Sequence, residues 1–160
     1  MQLLFRPQSI YFLLAALCAG SMFLFPFATF ELSSNVHYEL NAMGFFNHEN
    51  VAVVDGDPIV PFHIIVPLLT AILLISMFMF NKRKRQMAVA RSSYFISMLI
   101  IAGAYLSINA FKAHLGLAKD VMIGYDVSFY LPFAVLAFTF LANRSIKKDE
   151  DLVRSLDRLR

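Results

Sequence analysis

The chain reads as an all-α membrane protein: a four-transmembrane-helix bundle with a small β-structured outer loop and a C-terminal amphipathic cytoplasmic helix. Three observations predict this. Long stretches without a charge recur along the chain, at residues 7–30, 58–81, 92–111 and 127–143. The composition is 59% hydrophobic and 16% charged, against roughly 45–50% and 25% in soluble domains. The charges that remain are sorted by sign between successive loops, which is how a chain fixes its orientation across a bilayer.

A helix needs roughly 17–25 apolar residues to cross the hydrocarbon core. The first three runs clear that length, and the fourth meets its lower end and can be extended by Tyr125 and by the tail. The expected spans are therefore about 9–30, 61–80, 92–111 and 127–143, in a single membrane domain covering 1–160. Arg6 precedes the first span, Lys82, Arg83, Lys84, Arg85 and Arg91 separate the second and third, and Arg144, Lys147, Lys148, Arg154, Arg158 and Arg160 follow the fourth. The first connecting loop instead carries Glu31, Glu39, Glu49, Asp55 and Asp57 with no Lys or Arg. The positive-inside rule then places both termini in the cytoplasm and two loops outside.

Ser9 caps the first span after Pro7. Ala15, Ala16, Ala19, Gly20 and Ser21 give it a stripe of small residues that lets another helix approach. Pro26 ends or bends it. Cys18 is the lone cysteine, which excludes an internal disulfide and any multi-cysteine metal site. It reads as a packing residue, because Leu17 is too large for a lipidation signal and the apolar run continues to Phe30. The N-terminus is accordingly expected to be a retained signal anchor.

The outer loop, 31–60, is too long for a simple connector. Val36, Tyr38 and Leu40 alternate with His37, Glu39 and Asn41, the two-residue period of a half-buried strand. Residues 51–54 form a β-branched run before the turn signal Asp55-Gly56-Asp57-Pro58. A small antiparallel sheet is expected there, with loops at 41–44 and 47–50, and with Phe45 and Phe46 covering the top of the bundle. Pro67 predicts a kink in the second span. In the tail, 144–160, Leu152, Val153, Leu156 and Leu159 share one helical face, and Glu150 and Arg154 are spaced for an ion pair. Such a helix lies on anionic lipid or docks a protein partner.

Catalytic chemistry has little to stand on. No ionisable residue falls mid-span, where it would mark a functional site. Asn109 is the most interior polar candidate and is expected to bond between helices. His37, His48, His63 and His114 all fall on the outer side and are weak metal candidates, since none of the usual ligand spacings is present. No phosphate-binding, dinucleotide-binding or nucleophile motif occurs. Lys82, Arg83, Lys84 and Arg85 fix topology and form, with the tail, a basic cytoplasmic surface for lipid headgroups or a partner; contact with nucleic acid is compatible with this charge but not expected. No cofactor is implied.

Two stretches carry a family resemblance. Leu141-Ala142-Asn143-Arg144-Ser145-Ile146-Lys147-Lys148-Asp149-Glu150, with Leu152-Val153-Arg154-Ser155 and Asp157-Arg158-Leu159-Arg160, forms one. Gln8-Ser9-Ile10-Tyr11-Phe12-Leu13-Leu14-Ala15-Ala16 forms the other. Both resemble a domain-of-unknown-function family of four-span inner-membrane proteins from the Bacteroidetes. The resemblance implies a Gram-negative inner membrane and four spans, and it brings no catalytic or ligand residues. The expected function is that of a non-enzymatic accessory or structural subunit of a larger inner-membrane complex. The alternatives are a small transporter or ligand-binding membrane protein, and a metal or haem protein using the outer histidines.

Overall fold

The apolar runs form four helices, and a four-stranded sheet closes one end of them. A computed structural model describes residues 7–32, 36–47, 49, 51–53, 57–79, 83–114 and 121–157. In chain order the elements are α1 (Pro7–Ser21), β1 (Ala28–Leu32), β2 (Val36–Asn41), β3 (Gly44–Asn47), α2 (Phe62–Phe78), α3 (Arg83–His114), β4 (Val121–Tyr125) and α4 (Val127–Asp157). Helix α1 packs on α4 and α2, and α3 packs on α4 and α2. The sheet is antiparallel with order β3-β2-β1-β4.

This architecture corrects the expected four-transmembrane-helix bundle. Among the described residues, two helical segments are long and apolar enough to cross a membrane, Arg85–His114 and Val127–Leu152. Helix α1 has 15 residues and α2 has 17. At 1.5 Å per residue they reach about 22 and 25 Å, short of a hydrocarbon core of about 30 Å.

The first apolar run is divided among three structures. Near Ser21 the helix tightens into a turn, with the N–H groups of Met22, Phe23 and Leu24 donating to the carbonyls of Ala19, Gly20 and Ser21. Pro26 has no N–H to continue a ladder. The start of α4 takes over the freed carbonyls: Ser128 Oγ donates to Phe25 O (2.6 Å) and lies 3.3 Å from Met22 O, and Ser128 N–H donates to Pro26 O. Ala28 to Leu32 then pair on both edges, with β2 and with β4. The second run is trimmed at its outer end by Pro58 and Pro61, so that helix begins at Phe62.

The sheet differs in detail from the expected one. Strand β2 occupies the alternating stretch. Phe45 and Phe46, expected to cover the top of the bundle, are in β3, paired with Leu40 and Glu39, and Phe45 is buried. Gly44 opens β3 at φ +140°, a region essentially closed to side-chain-bearing residues. Residues 51–53, the described part of the run at 51–54, do not form a strand. Asn47 Oδ1 accepts from the N–H groups of Glu49 (3.1 Å) and Val51 (2.9 Å), folding the chain back tightly. Only a single bridge, Ala52 to Phe46, results.

The inner face of the sheet packs on α3 through rings. Phe111 stacks on Phe45 with centroids 4.0 Å apart and meets Phe30 edge-on at 5.1 Å. Tyr38 also presents its edge to Phe111. Phe27 stacks on Phe62 of α2. The sheet thus sits at the α3 C-terminus and the α2 N-terminus, and the other ends of the helices point away from it. At that far end α4 does not stop at Asn143. It continues to Asp157 because no Gly or Pro follows and Ile146 is fully buried. Residues 144–157 of the tail are thus the last part of α4.

Candidate functional site

Two surfaces stand out once the helices are placed: a basic end opposite the sheet and an apolar groove between α1 and α2. The basic end forms because α3 and α4 run antiparallel, so the start of one and the finish of the other lie together. Asn143 Nδ2 donates to the Tyr94 hydroxyl across this pair at 2.7 Å. The cation cluster contributes the first turn of α3. Arg85 is exposed there, and Arg83 and Lys84 belong to the same turn. Cations at a helix N-terminus oppose its dipole, so the cluster is not there to stabilise the helix. Lys82 lies outside the described residues. Arg144, Lys147 and Lys148 are exposed on α4.

Beneath this surface the interior is polar but not ionisable. Among the described residues, the buried polar side chains are Ser, Thr and Gln only. Gln86 Nε2 donates to the Ser76 carbonyl at 2.9 Å and ties the end of α2 to the start of α3. Thr139 and Ser93 bond to carbonyls of their own helices. These contacts pack helices together.

The groove between α1 and α2 has a volume of about 670 Å³. Leu13, Leu17, Leu24 and Leu74 supply its apolar wall, and Ala16 and Gly20 lower its floor. The small-residue stripe is therefore shared: Ala15 and Ala19 are fully buried against neighbouring helices, and Gly20 faces the groove.

A family model described as a domain of unknown function (DUF4293) matches residues 4–159. The chain belongs to that family. No curated protein and no solved structure matches it.

Within this family member the remaining candidates scatter. Asn109 is exposed, and its Nδ2 donates to the Tyr105 carbonyl one turn back in its own helix at 2.8 Å. That replaces the expected bond between helices, because Asn109 falls on the outward face of α3. His63 and His114 are exposed, and His37 lies 3.9 Å from Glu31 across the β1–β2 pair. His48 lies outside the described residues. Among the described residues, no three His, Cys, Asp or Glu side chains gather. Leu152 is exposed on α4. Val153 and Leu156 fall in the same helix, and Leu159 lies outside the described residues. Sequence reasoning missed the apolar groove and the crevice beside Asn143, since each is built from residues far apart in the chain.

Proposed function

We propose that this chain is an integral protein of a bacterial inner membrane that acts as a non-enzymatic accessory subunit of a larger membrane complex. The observation that carries the reading is the outward display of large apolar side chains along the helices. Phe95 is 77% exposed, Phe78 65% and Met98 63%. Large contiguous apolar surfaces mark contact with lipid or with a partner. The α3–α4 pair forms a membrane hairpin whose basic ends face the cytoplasm, following the sign of the flanking charge. Helix α1 runs toward the sheet and α4 away from it, so the N-terminus shares the cytoplasmic side with the C-terminus. The resemblance to inner-membrane proteins of the Bacteroidetes points to a Gram-negative cell.

The subunit role rests on the groove between α1 and α2. Both helices are shorter than the hydrocarbon core, and association with another helix is one way a short helix relieves that mismatch. A floor of Ala16 and Gly20 lets a partner's apolar helix approach closely. Purification in mild detergent at native expression tests the reading. A co-purifying membrane protein is expected, and its recovery falls when Gly20→Leu and Ala16→Leu fill the groove. A monodisperse single chain with no partner contradicts it, and a homodimer assigns the groove to a second copy.

A further inference from the structure

A crevice of about 380 Å³ opens between α3 and α4 at the basic end. Arg91 from α3 and Arg144 and Lys147 from α4 converge on it, and among the described residues no acidic side chain lines it. The neighbouring recess along α4 differs, because Asp151 stands among its cations and partly neutralises them. Arg144 and Lys147 are shared with that recess, so Arg91 is the cation that sets the crevice apart. Three cations facing one small opening repel each other, and an anion relieves that repulsion.

The crevice is also built in its polar detail. Asn143 and Tyr94 close its floor through the 2.7 Å bond in which Asn143 Nδ2 donates to the Tyr94 hydroxyl oxygen. That geometry leaves the Tyr94 hydroxyl proton free to donate elsewhere. It also leaves Asn143 Oδ1 buried with no hydrogen-bond partner among the described residues. A buried acceptor of this kind normally has a donor. The floor therefore offers a hydroxyl donor beneath a ring of cations.

The rim supplies the third element. Phe140 lines the crevice one helical turn from Asn143 on the side toward the sheet. Beyond the crevice in that direction Phe95, Met98 and Leu99 are all exposed on α3. Cations at one end and a bare apolar strip at the other match an amphiphile with an anionic head and hydrocarbon tails. A soluble phosphate would use only the first half of this surface.

We infer that the α3–α4 crevice is a binding seat for an anionic glycerophospholipid. Its phosphate lies among Arg91, Arg144 and Lys147, with the Tyr94 hydroxyl beneath it, and its acyl chains follow Phe140 and Phe95. Basic pockets between membrane helices hold phosphate headgroups by the same physics. Arg144 and Lys147 thereby gain a specific role beyond orienting the chain.

The inference rests on the membrane reading, and its test separates the two. The full chain in mild detergent is titrated with phosphatidylglycerol or phosphatidylcholine, and bound lipid is counted by native mass spectrometry. One phosphatidylglycerol is expected per chain, in clear preference to phosphatidylcholine. Replacing Arg91, Arg144 and Lys147 together by Gln is expected to weaken it by about tenfold or more. Replacing the exposed Arg85 and Lys148 and the half-buried Lys112 by Gln removes the same charge and leaves binding nearly intact. Tyr94→Phe keeps the ring and removes only the hydroxyl; a partial loss is expected. Equal loss in both triple variants, or no preference for phosphatidylglycerol, overturns the seat. Competition by millimolar glycerol phosphate as effective as the lipid itself overturns it in favour of a soluble anion. Fractionation of cells reports independently on the membrane reading, so a membrane-bound chain lacking the preference refutes the seat alone.

Discussion

Gly103 is the position where α3 leaves no room for a side chain. A Cβ built there lies 2.8 Å from the Cβ of Val60 and closer still to its Cγ2. Ordinary carbon contacts are about 3.5–4.0 Å. Val60 cannot swing aside easily. Its branched side chain is stiff at χ1, it is 8% exposed, and the chain beside it is tied to α3 where the Ile59 N–H donates to Ser107 Oγ at 2.9 Å. Ser107 is one turn beyond Gly103 on the same helix, so the 59–60 segment is clamped against this face. Overpacking of a tight site costs about 1–3 kcal/mol. The helix itself gains about 1 kcal/mol when Gly becomes Ala. Because the closest approach is so short, the clash belongs at the upper end, and Gly103→Ala is expected to destabilise the fold by about 1–2 kcal/mol net. Val60→Ala alone loses packing worth about 1.5 kcal/mol. It also removes both methyl groups that meet the new Cβ while keeping the Cβ at 2.8 Å, so the relief is partial and the double variant is expected to be more stable than the sum of the singles by about 1 kcal/mol. Thermal unfolding in a mild detergent of the four proteins measures this. Strict additivity, or a Gly103→Ala protein as stable as the parent, refutes the reasoning.

Other substitutions test the remaining joints. Phe111→Ala removes the ring that Phe45, Phe30 and Tyr38 all contact, and a loss of about 3–5 kcal/mol is expected in the same unfolding assay. Ser128→Ala strips the hydroxyl that serves the Phe25 carbonyl, and a loss of about 1–3 kcal/mol is expected, with Ser128→Thr recovering part of it. Asn109→Ala is expected to stay within about 0.5 kcal/mol of the parent, because its side chain is exposed and bonds only within its own turn.

That a helix falls in each uncharged run was readable because those runs are long, but the ends were not: α1 stops at Ser21 and α3 starts at Arg83, inside the cation cluster. Strand β2 was readable from the alternation of Val36, Tyr38 and Leu40 with polar neighbours. Strand β1 was not, since Ala28, Thr29 and Phe30 continue an uncharged run and only Pro26 hints at a break. What makes that stretch a strand is its pairing with β4, a partner nearly a hundred residues away along the chain, and with β2. Strand β4 itself is short and follows a helix with no strong turn signal at its far end. Pairing between distant segments leaves no local period to detect. The run at 51–54 had the composition of a strand, yet the carboxamide of Asn47 captured the backbone first. The tail was legible as an amphipathic helix, but whether it continues the fourth span was not, because its charge changes abruptly at Arg144. The backbone has no reason to stop there, and burial of Ile146 keeps it on course. The α3–α4 crevice was hidden for a different reason. Arg91, Arg144 and Lys147 are unremarkable topology charges until the Tyr94–Asn143 bond sets the register of the two helices.

The orientation of the α3–α4 hairpin is the claim on which the functional proposals depend. Single cysteines at Arg85, Lys148 and the exposed Met122, in a Cys18→Ala background, report it through labelling by a membrane-impermeant maleimide in spheroplasts. Met122→Cys is expected to label in intact spheroplasts, and Arg85→Cys and Lys148→Cys only after permeabilisation. Labelling of Arg85→Cys and Lys148→Cys from outside with Met122→Cys protected, or recovery of the protein in the soluble fraction, contradicts it.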